Sequence, residues 1–378
     1  MADKQGIPLS SIAGFPPDVI QKLAAYWITT AEELAGIAAL ENGVSNLVSL
    51  TGLPENQVAD LLAKVQAAMP ATLAATAEAA SLPGAITRHG LGALDTGGAG
   101  SAGRASTSAA AGGGEAPAAA VPLPPSVDLH AAFPPVRDQG MRGTCVAHAC
   151  TAVREYLTGA QSTAQDFSEQ FLYWDCKHHD LAPTQEGTYV STGMDRLRAD
   201  GIPNETDWPY DPNPIPGNEP QDPAPAGILN KAAPQRITSV SALSAANVDA
   251  LRLKLAGGSP VAFAVPVYTS WFAEPTHSTG DVHLPLPGET LEGGHALCMV
   301  GYQSDASVPG GGYFLVRNSW GTGYASQSPV APGYIRLPFA YITQYANSAY
   351  TAAVTPLPTP VQKSLWQQLQ DWFHSVFG

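Results

Sequence analysis

Apolar residues recur at helical spacing in four stretches of the chain. Val19, Ile20 and Leu23 do so after Gly14-Phe15-Pro16-Pro17-Asp18, and Val58, Leu61, Leu62 and Val65 after Gly52-Leu53-Pro54-Glu55. Val146, Ala149, Val153 and Tyr156 form a third stripe, and Val361, Leu365, Trp366, Leu369, Trp372, Phe373, Val376 and Phe377 a fourth. Each predicts a helix with one buried face. Thr29-Thr30-Ala31-Glu32-Glu33 adds a capping box that opens a further helix. Two other segments read differently. Leu297-Cys298-Met299-Val300 is a short apolar run between glycines, and Tyr313-Phe314-Leu315-Val316-Arg317 is rich in strand formers, so both predict buried strands.

These elements divide the chain. Residues 1–69 make a small helical unit of three predicted helices, whose repeated glycine-apolar-proline openings look like the helix-hairpin-helix or SAM-like class. Its three lysines against seven acids argue for protein docking or a structural role over nucleic acid. From Pro70 to Val121 the sequence is dominated by Ala, Gly, Ser and Thr, which cannot bury enough apolar surface to offset chain entropy and predicts a flexible linker. One less biased island, Ile86-Thr87-Arg88-His89-Gly90-Leu91-Gly92, admits the competing reading of a plug in a substrate cleft. Residues 122–354 hold the main body. In 355–378, Thr355-Pro356-Leu357-Pro358-Thr359-Pro360 breaks the chain ahead of the last helix, for which docking on its own protein is favoured over a partner or a membrane surface.

The chemistry concentrates in the main body. Gly143 and Thr144 form a turn and N-cap, so Cys145 falls in the first turn of a helix, where unpaired N–H groups and the helix dipole favour a thiolate. His295 precedes the apolar run and is fixed at the edge of a strand. Asn318 stands at the tip of another strand, where its amide can set the tautomer of His295, and Trp320 can shield that bond from water. Gln139, six residues before Cys145, can direct its amide N–H at a developing oxyanion together with the backbone N–H of Cys145. A thiol, an imidazole, a carboxamide and an upstream glutamine in this order point to covalent attack on a peptide carbonyl.

From about Leu123 to Tyr350 the chain resembles the papain-like cysteine peptidases of prokaryotic type. The resemblance is carried by Leu123-Pro124-Pro125-Ser126-Val127-Asp128, Pro135-Val136-Arg137-Asp138-Gln139-Gly140, Phe167-Ser168-Glu169-Gln170-Phe171-Leu172, Asp207-Trp208-Pro209-Tyr210 and Gly333-Tyr334-Ile335-Arg336, beside the motifs around Cys145, His295 and Asn318. It implies an α+β, two-lobed fold with a helical left lobe and a β-barrel-like right lobe, behind the small all-α N-terminal domain. It implies a thiol protease with Cys145 as nucleophile, His295 as general base and acid, Asn318 as orienting residue and Gln139 as oxyanion-hole donor. Tyr189, Val190, Ala264, Gly294 and Ala296 would line the subsite for the residue second from the scissile bond, with an apolar preference, and Trp320 would flank the cleft. A silent binding protein and a thioester-based acyl or peptidyl transferase are the competing functions. Linker is favoured over plug for residues 70–121 because the family's helical inhibitory prosegment has no match.

The sequence also departs from the family. Arg142 stands where secreted members carry a cysteine three residues before the nucleophile, and Val146 and His148 replace bulkier aromatics. No pairing among Cys145, Cys150, Cys176 and Cys298 fits the family's disulfides, so three are read as structural thiols and one as catalytic. No secretory signal or membrane span is visible, which points to the cytoplasm, with signal-independent export still open. A formal charge of −14 with eighteen basic residues argues against nucleic acid. With no Walker loop, dinucleotide fingerprint or Cys/His zinc spacing, no metal or organic cofactor is implied, and the expected partners are peptide or protein substrates plus a possible protein partner of either terminal helical segment.

Overall fold

The computed structural model describes residues 4–70, 89–96, 122–159 and 165–354. The predicted C-terminal helix lies outside the described residues. Among those described, no helix is long and apolar enough to cross a membrane.

The N-terminal unit has four helices where the sequence suggested three: α1 (Pro17–Ala24), α2 (Ala31–Ala38), α3 (Gly43–Thr51) and α4 (Glu55–Ala68). The capping box forms as expected, with the Glu33 N–H donating to the Thr30 hydroxyl at 3.3 Å and the Thr30 N–H to the Glu33 carboxylate at 3.1 Å. Helix α3 gave no such signal, because it starts behind Asn42 in the left-handed conformation with no side-chain cap bond. Val19, Leu23, Leu34, Leu47, Val58, Leu61 and Val65 form one small core.

That core is not closed on itself. Leu286, from the main body, is buried in it, and the Leu284 N–H donates to the Tyr26 carbonyl at 3.0 Å. Trp27 stacks on Tyr313 with ring centroids 5.9 Å apart, and the backbone of Glu274 lies where a Cβ on Gly36 would have to go. The N-terminal unit is thus docked on the main body through residues 274–288 and Tyr313.

In the main body β1 (Ser126–Asp128) precedes helices α5 (Cys145–Gly159), α6 (Glu169–His179) and α7 (Val190–Ala199). These are followed by α8 (Ile228–Ala232), β2 (Ser239–Leu243), α9 (Val248–Ala256) and β3 (Val261–Tyr268), and then by β4 (Leu291–Ser304), β5 (Gly312–Arg317), β6 (Tyr334–Pro338) and β7 (Ser348–Ala353). The strands make one antiparallel sheet in the order β2-β7-β3-β4-β5-β6, with β1 added to β4. Both predicted strands are present, within β4 and as β5.

The sheet divides two apolar cores, and period-two alternation decides which residue enters which. On β3 and β4 the residues Ala262, Ala264, Ala296, Cys298 and Val300 face the core built with α5, α6 and α7, where a helix must approach closely. Val261, Phe263, Val265, Leu297 and Met299 fill the other core with Trp271, Phe314 and Ile335. Small residues toward the helices and large ones toward the sheet's far side give the expected α+β division into a helical part and a β part. Cys145 begins α5 on one side, and His295 pairs with Val265 on the strands it meets.

Arg142 explains how the fold does without the cysteine expected there. It is buried, and its guanidinium donates to the Gln170 side chain at 2.8 Å and to the Asp211 carbonyl at 2.7 Å, between the rings of Tyr173 and Tyr210. A charge-assisted fork on a carbonyl and an amide ties the turn before Cys145 to α6 and to the 211–219 loop. All four cysteines are buried and unpaired.

Candidate active site

The helix that carries Cys145 starts in a turn with little freedom. The Thr144 hydroxyl is 2.6 Å from the Tyr210 hydroxyl, and the Gly143 N–H donates to the Glu186 carboxylate at 2.5 Å. Facing this turn, β4 brings His295 and β5 ends at Asn318. The His295 Nε2 lies 2.8 Å from the Asn318 Oδ1, which makes Nε2 the protonated nitrogen and leaves Nδ1, buried and without another partner, for the reacting groups. Asn318 is aimed by the Ser319 N–H, which donates to the same oxygen at 2.7 Å. Trp320 covers the pair, its ring stacked on that of His295 at 4.4 Å and 20°.

Gln139 is buried in the same cluster. Its side-chain oxygen accepts from the Ser319 hydroxyl at 2.6 Å, which turns its amide nitrogen toward the turn before Cys145. That nitrogen donates to the Arg142 carbonyl at 2.8 Å and to the Gly90 carbonyl at 2.9 Å.

Gly90 belongs to the stretch read as a linker; for residues 89–96 that reading is corrected, while 71–88 and 97–121 lie outside the described residues. Residues 89–93 lie against the turn before Cys145 and against Thr188, where Ala93 makes a single β-bridge, and end in a single turn at Leu94–Thr96. The Gly90 N–H donates to the Gly140 carbonyl at 3.0 Å and the Thr188 N–H to the Gly92 carbonyl at 2.9 Å. The Ala93 N–H reaches the Gly294 carbonyl at 3.1 Å, and the Leu94 N–H reaches the Thr188 carbonyl at 2.9 Å. The Val190 N–H closes the row on the Asp95 carboxylate at 2.9 Å, and His89 stacks on Trp320 at 4.9 Å and 9°. Composition pointed to a linker because alanine and glycine bury little apolar area. This segment is held by its backbone, and backbone bonding leaves no hydrophobic pattern to read.

The covered site is dry. Cys145 and His295 are both fully buried. Burial pushes the Cys145 thiol up to about 11, while the backbone N–H groups of Ala296, Gly92 and Val146 pull the other way. Burial also pushes the His295 imidazole down to about 3, opposed by its bond to Asn318. In this closed state both groups are neutral at pH 7. The helix terminus alone does not produce a thiolate where water and an imidazolium are both excluded.

The residues predicted for the substrate subsite converge on the same segment. Val190 and Gly294 bond it through their backbones, Ala264 and Ala296 are opposite each other on β3 and β4, and Tyr189 caps α7. The sequence reading missed Thr188 and Gly187, and it set the plug reading of His89–Gly92 below that of a linker. A signal was present in the alternate glycines of His89-Gly90-Leu91-Gly92: a Cβ on Gly90 would run into the Arg142 carbonyl, and one on Gly92 into the Gly143 carbonyl. His148, a departure from the family, packs edge-on to Tyr210 with its Nδ1 3.1 Å from the Thr144 carbonyl; burial drives its pKa down to about 3, so it is a neutral packing residue.

Papain family cysteine protease is the family whose model matches residues 123–349, and the chain belongs to that family. Xylellain, a cysteine protease from Xylella fastidiosa, superposes with a TM-score of 0.54 at 30% identity over 62% of this chain and 87% of its own. Among curated proteins, an uncharacterized peptidase C1-like protein of Acanthamoeba polyphaga mimivirus is 26% identical over 54% of this chain and 64% of its own length. The viral cathepsin of Adoxophyes honmai nucleopolyhedrovirus is 28% identical over 53% and 52%. The chain therefore spans between about half and two thirds of the length of these curated relatives.

Proposed function

We propose that this chain hydrolyses peptide bonds through a thioester on Cys145, and that residues 89–95 hold the active site closed until they are displaced. The observation that carries the catalytic part is the 2.8 Å contact between His295 Nε2 and Asn318 Oδ1, which leaves Nδ1 as the one ring nitrogen able to exchange a proton with the sulfur. In the open site the Cys145 proton passes to Nδ1, and the thiolate and imidazolium stabilise each other beside the helix N-terminus. The sulfur attacks the carbonyl carbon, a C–S bond forms, and the carbonyl electron pair moves to an oxygen facing the Gln139 amide and the Cys145 N–H. Nδ1–H then protonates the leaving amine as the C–N bond breaks. Water, deprotonated by Nδ1, attacks the thioester, releases the acid and restores the thiolate. The small apolar walls of Val190, Ala264 and Ala296 favour an apolar residue second from the scissile bond.

Closure is read from what the segment presents to the sulfur. The Gly92 N–H approaches the Cys145 sulfur, as those of Ala296 and Val146 do. The Gly90 carbonyl, meanwhile, occupies the Gln139 amide. The segment thus occupies both halves of the catalytic centre.

Digestion of a peptide library by the full chain and by Cys145→Ala tests this. Cleavage that disappears with Cys145→Ala supports the reading. A chain that cleaves nothing even with the segment displaced, and whose Cys145 stays unlabelled by an epoxide thiol trap, is a binding protein. If an added amine outcompetes water for the acyl group, the chain is a transferase.

A further inference from the structure

On the far side of the helical part, α6 and α7 end near one another. Asp175 and His179 are one turn apart on α6, and Asp200 is the C-cap of α7. One ligand atom from each of the three lies within 4.8 Å of the other two. Asp175 is 1% exposed, yet neither of its carboxylate oxygens has a hydrogen-bond partner. Its oxygens instead meet the His179 ring and the Asp200 carboxyl, and two buried carboxyls side by side need a cation or a shared proton between them. The nearby Arg196 donates to the Asp200 Oδ2 at 3.1 Å, which offsets one of the two negative charges and leaves the other.

We propose that Asp175, His179 and Asp200 form a binding site for a divalent transition-metal ion of the zinc class. One imidazole with two carboxylates suits zinc, cobalt or manganese better than calcium, which takes six or more oxygens. The His179 Nδ1 lies 3.1 Å from the Asp175 Oδ1. That is the separation of two adjacent ligands held about 2.1 Å from one ion. Nδ1 now donates to the Asp175 main-chain carbonyl at 2.8 Å, a bond that gives way when the ring turns to the ion. His179 and Asp200 are partly exposed, with side chains 48% and 30% accessible, so an ion can enter from solvent.

The ion would tie the C-terminal end of α6, from which residues 180–189 depart, to the C-terminal end of α7. That loop supplies Gly187 and Thr188, against which residues 92–94 are bonded. The site would therefore anchor the start of that loop without touching the reacting atoms.

The test is calorimetric titration of ZnCl2 into the full-length Cys145→Ala chain, in which the cleft offers no thiol to the metal, with CoCl2 absorption as a second probe. The expected result is one saturable ion per chain, a rise in melting temperature on adding ZnCl2, and affinity at least about tenfold weaker in both His179→Ala and Asp200→Asn. These two partly exposed positions are replaceable without emptying the core. No saturable binding, or binding unchanged in both variants, overturns the proposal. So does a chain that Asp175→Asn stabilises while ZnCl2 leaves the parent's melting temperature unmoved, since Asp175 and Asp200 would then only share a proton.

Discussion

Two pieces outside the catalytic body are fastened to it by opposite means. The N-terminal unit is held mainly by side chains, with one backbone bond from Leu284 to Tyr26: Leu286 is buried in its core, Trp27 lies on Tyr313, and Glu33 is within the electrostatic reach of His283. Residues 89–95 are held by a row of backbone bonds and by two glycines that let the chain approach. Side-chain docking depends on area and fit, and it fails when a buried apolar residue is lost. Backbone docking resembles adding a strand to a groove: it tolerates most side chains, reverses readily, and fails where a Cβ intrudes.

Substitutions at each contact separate the two. Leu286→Asp, which buries an unpaired charge, should cost about 3 kcal/mol of N-terminal docking. It should be read as faster hydrogen exchange in residues 26–37 with small-peptide turnover unchanged; equal exchange in both proteins would mean Leu286 does not hold the unit. Gly92→Val should leave that exchange alone and raise the initial rate on a fluorogenic peptide by about tenfold or more, as overpacking of 1–3 kcal/mol expels the segment. An unchanged rate would remove the segment's inhibitory role. His89→Ala, which loses the stack on Trp320, should give a smaller increase of a few fold, in keeping with about 1 kcal/mol for such a pair.

Acidity should also act on the segment and leave the N-terminal unit in place. His295 and His89 have pKa values lowered in the closed state, chiefly by burial, with Asp138 opposing and His277 adding at His89. Groups with depressed values favour the closed state above their ordinary value near 6.5, and that contribution is lost as pH falls toward 3 for His295. Asp95 works in the other direction, since burial raises its pKa and the closed state holds it better protonated. Two imidazoles against one carboxyl predict faster opening between pH 7 and 5, measured as a shorter lag before turnover. His89→Gln should make that dependence about two- to threefold shallower. A lag that lengthens with acid would put Asp95 in control.

What the sequence disclosed follows the same division. The Thr30–Glu33 box, the strands at Leu297 and Tyr313 and the spacing of Cys145, His295, Asn318 and Gln139 were legible because caps, period and nucleophile chemistry are written in side chains. Helix α3 was not, since its ends are left-handed residues with no side-chain cap, and neither was the docking of Leu286, which is a tertiary event. Arg142 read as a missing cysteine; that it bridges α6 and the 211–219 loop depends on Gln170 and the Asp211 carbonyl, distant in sequence. The island at residues 86–92 admitted a plug, but the linker reading prevailed because much of its fastening is backbone bonding, with only His89 and Asp95 adding side-chain contacts that sequence could not place.

The central claim is that Cys145 is a nucleophile made by His295 and covered by residues 89–95. Its most direct test is the alkylation rate of Cys145 by an epoxide thiol trap at pH 7, followed by mass spectrometry in the parent and Gly92→Val, each with and without His295→Ala. The account predicts slow labelling in the parent, labelling at least about tenfold faster in Gly92→Val, and loss of that gain when His295 is removed. Equal rates in the parent and Gly92→Val, or a fast Gly92→Val rate that survives His295→Ala, would contradict it.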